Sequence, residues 1–180
     1  MQTQAAKIGT SWRKFRSRPV LSTIFDVALI IGLMFSIHAW QTRELPVNEP
    51  APARPLLTLA GDSIQSPIQH GEVGVVYFFA PWCHVCRASM DNLDQLLADE
   101  NVAWASAIAL DYSSTAAVQQ FVDELGISMP VLMGQGQEAR DWKIRGFPTY
   151  FVIDSKGQIN SSSVGYSTSL GLRFRIWWAD

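Results

Sequence analysis

Apolar residues fall along this chain in three kinds of run, and each kind predicts a different element. The first is a single unbroken stretch. Residues 20–40 are dominated by Val, Leu, Ile, Phe and Ala, and roughly 20 apolar residues span a bilayer core as one helix. The second kind is short and continuous. Residues 73–80 (Val-Gly-Val-Val-Tyr-Phe-Phe-Ala) and 102–110 predict strands buried on both faces. Residues 56–60, a turn at Gly61-Asp62 and a return over 63–68 predict a hairpin. Thr149–Ile153, the turn 154–157 (Asp-Ser-Lys-Gly) and a return over 158–165 predict another, and Val131–Met133 reads as a minor strand or loop. The third kind has helical spacing. Met90, Leu93, Leu96 and Leu97 place a helix over 86–98. Ala116, Ala117, Phe121, Val122 and Leu125 place one over Thr115–Leu125, with Gly126 as its stop. A short helix is expected over 137–142 and a closing one over 167–178, interrupted by Gly171. The order is β-β-β-α-β-α-β-β-α, with the short extra helix before the last hairpin. It predicts an α/β fold: a central mixed β-sheet flanked by helices, with an N-terminal β-hairpin extension and one transmembrane helix ahead of it.

Charge sharpens the first element. Residues 1–18 hold Lys7, Arg13, Lys14, Arg16 and Arg18 and no acid, whereas from residue 41 onward nine bases face fifteen acids. A uniformly basic nucleic-acid binder would not be split this way, so no nucleic-acid partner is expected. The basic segment stays cytoplasmic and sends the rest outward. Trp12 and Trp40 fall near the two interfaces. A cleaved signal peptide is the alternative, but the run exceeds the usual apolar core and no small-x-small site closes it. Asp26, in the second turn, costs on the order of 2.5–3.5 kcal/mol if it reaches the bilayer centre. It is either a contact with a partner helix or a tolerated residue near the interface. His38 is interfacial. Pro46, Pro50, Pro52 and Pro55 then make 41–55 a semi-rigid spacer. The expected organisation is a cytoplasmic tail (1–18), an anchor (19–40), a Pro-rich linker (41–55) and one globular domain (56–180). At 48% hydrophobic and 17% charged residues, the chain is not disordered.

The candidate chemistry lies at the end of the third strand. Cys83 and Cys86 are the only cysteines, spaced Cys-His-Val-Cys, with Ala80-Pro81-Trp82 before them. With no third cysteine to bridge to, they are a reversible dithiol/disulfide or part of a metal site. Thiol exchange needs a thiolate, and a helix N-terminus lowers a thiol's pKa. Cys83 sits there if the helix starts where the pattern suggests, so Cys83 is the expected nucleophile and Cys86, one turn on, the resolving thiol. His84, if cationic, favours the thiolate; otherwise it is an exposed loop histidine. Structural zinc needs about four ligands, and His38 and His70 are not at ligand spacing, so no metal ligand is expected. Copper(I) accepts two thiolates, which leaves a copper-binding module open, although Met90, Met129 and Met133 form no Met-x-x-Met cluster. A second segment, Gly146-Phe147-Pro148-Thr149, starts a strand with a proline, as a strand's first positions tolerate. A cis bond there would make a constrained turn.

These two segments, in this order and spacing, resemble the hallmarks of the thioredoxin family over residues 56–178. The anchor, the Pro-rich stretch and the extra hairpin are similar to its membrane-tethered TlpA/ResA/DsbE branch, and most like the suppressor-for-copper-sensitivity protein D (ScsD-like) group. The resemblance implies a thioredoxin-like fold with Cys83 and Cys86 as the redox pair and no cofactor beyond their disulfide. It implies that Pro148 is a cis-proline facing the pair, that the Phe147 backbone helps bind an extended substrate segment, and that Trp82 shields the sulfurs; the alternative for Trp82 is plain core packing. It further implies protein substrates, a membrane electron donor of the DsbD/ScsB type, and a bacterial inner-membrane location with the domain in the periplasm. Three positions depart from the pattern. Phe147 replaces a smaller residue. Tyr77 stands six residues before Cys83, where thioredoxins keep a buried acid. Ser89 stands three after Cys86, where ResA-like members carry glutamate. Glu72 and Asp91 are the nearest acids in sequence to replace them, with water as the other acceptor. The function expected is thiol–disulfide exchange with protein substrates in the reductive direction; a disulfide oxidase and a copper(I)-binding or docking module are the alternatives.

Overall fold

The computed structural model describes residues 19–179, so the basic tail expected over 1–18, Trp12 included, lies outside the described residues. The chain divides into a unit ending at Arg43 and a second from Glu44 onward. In the first, α1 (Pro19–Thr42) is the long apolar run. Its stretch Ser22–Thr42 is long and apolar enough to cross a membrane, and Asp26 lies within it. The Ser36 hydroxyl donates to the Gly32 carbonyl (2.8 Å) and that of Thr42 to His38 (3.0 Å). Polar side chains that bond their own helix suit a segment with no water to bond.

The second unit is a seven-stranded mixed sheet with the order β2-β1-β5-β4-β3-β6-β7. Its strands are β1 (Leu56–Thr58), β2 (Ser63–Ile64), β3 (Gly74–Phe79), β4 (Trp104–Ala109), β5 (Val131–Met133), β6 (Thr149–Ile153) and β7 (Ile159–Val164). β3, β4 and β5 are parallel; β1, β2, β6 and β7 add antiparallel pairs at the two edges. The expected N-terminal hairpin is thus present, docked onto β5, though its return covers two residues rather than six. The helices are α2 (His84–Ala98), α3 (Thr115–Leu125), α4 (Gly136–Asp141) and α5 (Ser169–Ala179).

β3 shows why its sequence is apolar throughout. Val75, Tyr77 and Phe79 enter one core with Cys83, Cys86, Leu93 and Phe121 from α2 and α3 and Leu172 from α5. Val76 and Phe78, on the alternate face, enter a second core with Trp104, Trp142 and Phe151. A strand with a core on each face cannot alternate with polar residues. Gly74 is the exception in size. It pairs with Trp104 across β3 and β4, and a Cβ there would run into the indole ring. The indole is itself buried and donates to the Glu72 carbonyl at 3.2 Å. Gly74→Ala is expected to destabilise the domain by about 2 kcal/mol, as overpacking a tight core does. Urea unfolding checks this: the midpoint falls with an unchanged denaturant slope.

Part of the stretch expected to be a semi-rigid spacer is tied to the domain. Asn48 and Ala51 donate to the Ile159 and Gly157 carbonyls (2.7 and 3.0 Å), Ile159 donates to Glu49 (2.9 Å), and Pro50 bridges to Gln158. Leu45 and Ala51 enter the second core. The reason is the open edge of β7, whose backbone groups need partners; proline is tolerated in an edge strand.

Candidate active site

β3 ends at Phe79, and after Ala80, Pro81 and Trp82 the chain reaches the N-cap of α2. Cys83 is the N-cap of that helix, with extended backbone (φ −81°, ψ 107°). Its Sγ accepts the Cys86 backbone N–H at 3.0 Å, and the two cysteines are joined in a disulfide with Cα atoms 5.2 Å apart. The cap places Cys83 at the positive end of the helix dipole, beside N–H groups that the helix leaves unpaired. The two sulfurs are not equivalent. Cys86 is 0% exposed and Cys83 7%, so an incoming partner reaches only Cys83.

Trp82 and Phe147 flank that opening. The Trp82 ring is 62% exposed, lies edge-on to Phe147 (centroids 5.9 Å, 81°) and donates its indole N–H to the Asp111 carbonyl at 3.0 Å. Trp82 is therefore not core packing. Asp111, with φ 49°, turns the chain beneath it; sequence reading passed over Asp111 because a carbonyl contact needs no particular side chain. The Phe147–Pro148 peptide is cis. Thr149, the next residue, pairs with Phe78, so Pro148 stands at the end of the sheet from which the cysteine loop leaves. Pro148 is buried, and its carbonyl accepts from Gly165 (2.8 Å). Two open grooves, about 510 and 520 Å³, adjoin this rim. One runs by Pro81, Trp82, Arg87 and Phe121, the other by Leu110, Gly134 and Phe147, and both include Asp111 and Tyr112.

His84 opens α2 and is exposed. Arg87, in the next turn, stacks over Phe121 (5.0 Å) and pairs with Glu124 at 2.7 Å. The Gln120 amide and then Arg87 hold the exposed Glu124 carboxyl below its usual range.

Beneath Cys86 the two departures from the family pattern meet each other. The Tyr77 hydroxyl is 3.2 Å from the Cys86 carbonyl and 3.3 Å from the Ser89 hydroxyl, which in turn donates to Val85 at 2.8 Å. Tyr150 packs against Tyr77 (centroids 4.8 Å), and its buried hydroxyl, facing Ser89, Tyr77 and Ser167, completes no hydrogen bond. Burial raises the Tyr77 hydroxyl well above its ordinary value and pushes Tyr150 up to about 12. Neither acid weighed as a replacement is here. Glu72 precedes β3 at the far end of that strand, on the order of 20 Å away along six residues, and Asp91 is exposed on α2. Met90 and Met129 are core residues of the same cluster as the pair. Among the described residues no three His, Cys, Asp or Glu side chains gather as a metal site requires.

A family model described as the AhpC/TSA family matches residues 47–162. The thiol-disulfide oxidoreductase ResA of Oceanobacillus iheyensis is 26% identical over 165 residues, covering 87% of this chain and 86% of that protein. The thioredoxin-like protein YneN of Bacillus subtilis is 27% identical over 136 residues, 73% of this chain and 80% of its own length. Among solved structures, a thiol:disulfide interchange protein of the thioredoxin family from Chlorobium tepidum superposes with a TM-score of 0.66 at 26% identity, over 74% of this chain and 97% of its own.

Proposed function

This chain belongs to the AhpC/TSA family, and we propose that it is a thiol–disulfide oxidoreductase of the ResA/DsbE type, anchored by α1 with its domain in the bacterial periplasm. The observation that carries the reading is the N-cap sulfur of Cys83, the exposed half of a disulfide whose other half is sealed. In the reductive direction the Cys83 thiolate attacks a substrate disulfide. A mixed disulfide forms, and one substrate sulfur leaves as a thiolate and takes a proton. Cys86, deprotonated, then attacks Cys83 Sγ; the second substrate thiolate leaves and the Cys83–Cys86 disulfide forms. The substrate gains the two electrons that the pair loses. The pair returns to the dithiol by the same exchange run backward against a membrane dithiol donor of the DsbD/ScsB type. The Phe147 backbone and Pro148 form the wall on which an extended substrate segment lies, with Trp82 as the opposite rim.

The test is a trap. Full-length Cys86→Ala protein expressed in cells is expected to accumulate mixed disulfides through Cys83, released by dithiothreitol and identified by mass spectrometry. If none accumulate while purified protein binds Cu(I) through its two thiols, the enzymatic reading fails. Direction is read separately from the reduction potential: a value near −270 mV, as in thioredoxin, supports a reductase, and one near −120 mV overturns it in favour of an oxidase.

A further inference from the structure

α5 is apolar on two opposite faces. Leu172, Ile176 and Ala179, spaced i, i+4, i+7, are buried against the domain. Leu170, Phe174, Trp177 and Trp178, spaced i, i+4, i+7, i+8, form the outward stripe and are 79%, 62%, 69% and 69% exposed. The rings make one surface. Phe174 lies 6.1 Å from Trp177 and 6.4 Å from Trp178, and the indoles are 6.3 Å apart. At 100° per residue, Arg173 and Arg175 fall on either side of the stripe. Arg173 is exposed and sits 3.6 Å from Asp99; Arg175 is half-buried.

We propose that this stripe docks on the surface of the bilayer, its rings at the boundary between headgroups and acyl chains. The proposal rests on the anchored reading of α1. A contiguous apolar patch of this kind on a folded domain marks an interaction surface. Indoles favour the membrane interface because one edge is apolar and the N–H is polar. Flanking arginines keep their charge in the headgroup layer while their stems cover apolar surface. The chain itself supplies the bilayer: α1 ends at Thr42, and Leu45 is already a buried residue of the second unit.

The experiment uses the full chain with Cys83→Ser and Cys86→Ser, one added cysteine and an environment-sensitive NBD label. It is reconstituted in nanodiscs of phosphatidylcholine and phosphatidylglycerol containing a doxyl-lipid quencher. Labels are placed separately by Leu170→Cys, by Ile31→Cys within α1 and by Lys156→Cys in the exposed β6–β7 turn. Docking predicts a blue-shifted, quenched label at 170 and a water-like one at 156. Adding Phe174→Ser, Trp177→Ser and Trp178→Ser returns the label at 170 to water-like emission. A water-like label at 170 beside a quenched label at 31 overturns the docking and leaves the anchor standing. An unquenched label at 31 overturns the anchor, and the label at 170 then decides the docking by itself. A shift at 170 seen only in discs that hold two copies makes the face a self-interface and overturns the proposal.

Discussion

Cys83→Ala reduces disulfide exchange to background, whereas Cys86→Ala still completes the first half of the reaction. The difference follows from where each sulfur sits. Cys83 Sγ lies at the cap of α2, accepts the Cys86 N–H at 3.0 Å and is the only one of the pair open to solvent. A helix N-terminus brings a thiol from about 8.5 to about 7 or below, and burial in apolar surroundings does the reverse. At pH 7 the Cys83 thiolate fraction therefore exceeds that of Cys86 by about tenfold or more, before access is counted. In the reduced protein, iodoacetamide is expected to alkylate Cys83 first, by at least that factor, as peptide mass spectrometry over a time course would show. With a model disulfide substrate, Cys86→Ala should give one equivalent of released thiol and then stop, and Cys83→Ala none. Equal alkylation rates, or a burst from the Cys83→Ala protein, would remove the assignment of Cys83 as the attacking sulfur.

Much of this arrangement was legible in the sequence because it depends on short-range rules. Continuous apolar runs named β3 and β4 as central strands, and the helical spacing of Met90, Leu93 and Leu96 fixed the face that α2 buries. The spacing starts the helix at residue 86, whereas in the structure it starts at His84, which makes Cys83 its N-cap. What could not be read was set by partners far away in sequence. The Pro-rich stretch has a spacer's composition, yet it pairs along β7 because β7 has an open edge more than a hundred residues later. The outward stripe of α5 was hidden for another reason: both of its faces are apolar, so the periodicity reports a helix without saying which side is inside. Tyr77 and Ser89 each read as the absence of an acid. Their contact needs β3 and α2 packed together, and Tyr150, which closes the cluster, arrives on β6 through its register with Tyr77.

That cluster sets the pH dependence of the second step. Resolution requires Cys86 to lose its proton, and the hydroxyls that lie against the Cys86 carbonyl, those of Tyr77 and Ser89, do not ionise in the working range. Burial holds Tyr77 far above its ordinary value and Tyr150 at about 12. With Tyr77 and Ser89 in place of carboxylates among the described residues, the resolution rate should follow the Cys86 thiolate fraction. Its logarithm is expected to rise with unit slope from pH 6 to pH 8, roughly a hundredfold over two pH units, and to go on rising beyond about 8.5, because burial holds Cys86 above the ordinary thiol value. Decay of a preformed mixed disulfide, quenched in acid at intervals, measures it. Tyr77→Phe should keep the slope, since a protonated phenol is not the base. Ser89→Asp should flatten it above the new carboxyl's own pKa. A flat profile in the unmodified protein would mean that another group accepts the proton. The same hydroxyls govern stability in alkali, and the sign is fixed by the direction of the shift. An unfolded tyrosine ionises near pH 10, whereas Tyr150 in the folded protein holds its proton to about 12. Between those values only the unfolded state releases the proton, so stability falls as pH rises, by roughly 3 kcal/mol from Tyr150, with Tyr77 acting in the same direction. Tyr150→Phe should remove that part of the loss in urea titrations at pH 10–12. It should cost little at pH 7, because the hydroxyl it deletes completes no hydrogen bond and its burial is uncompensated.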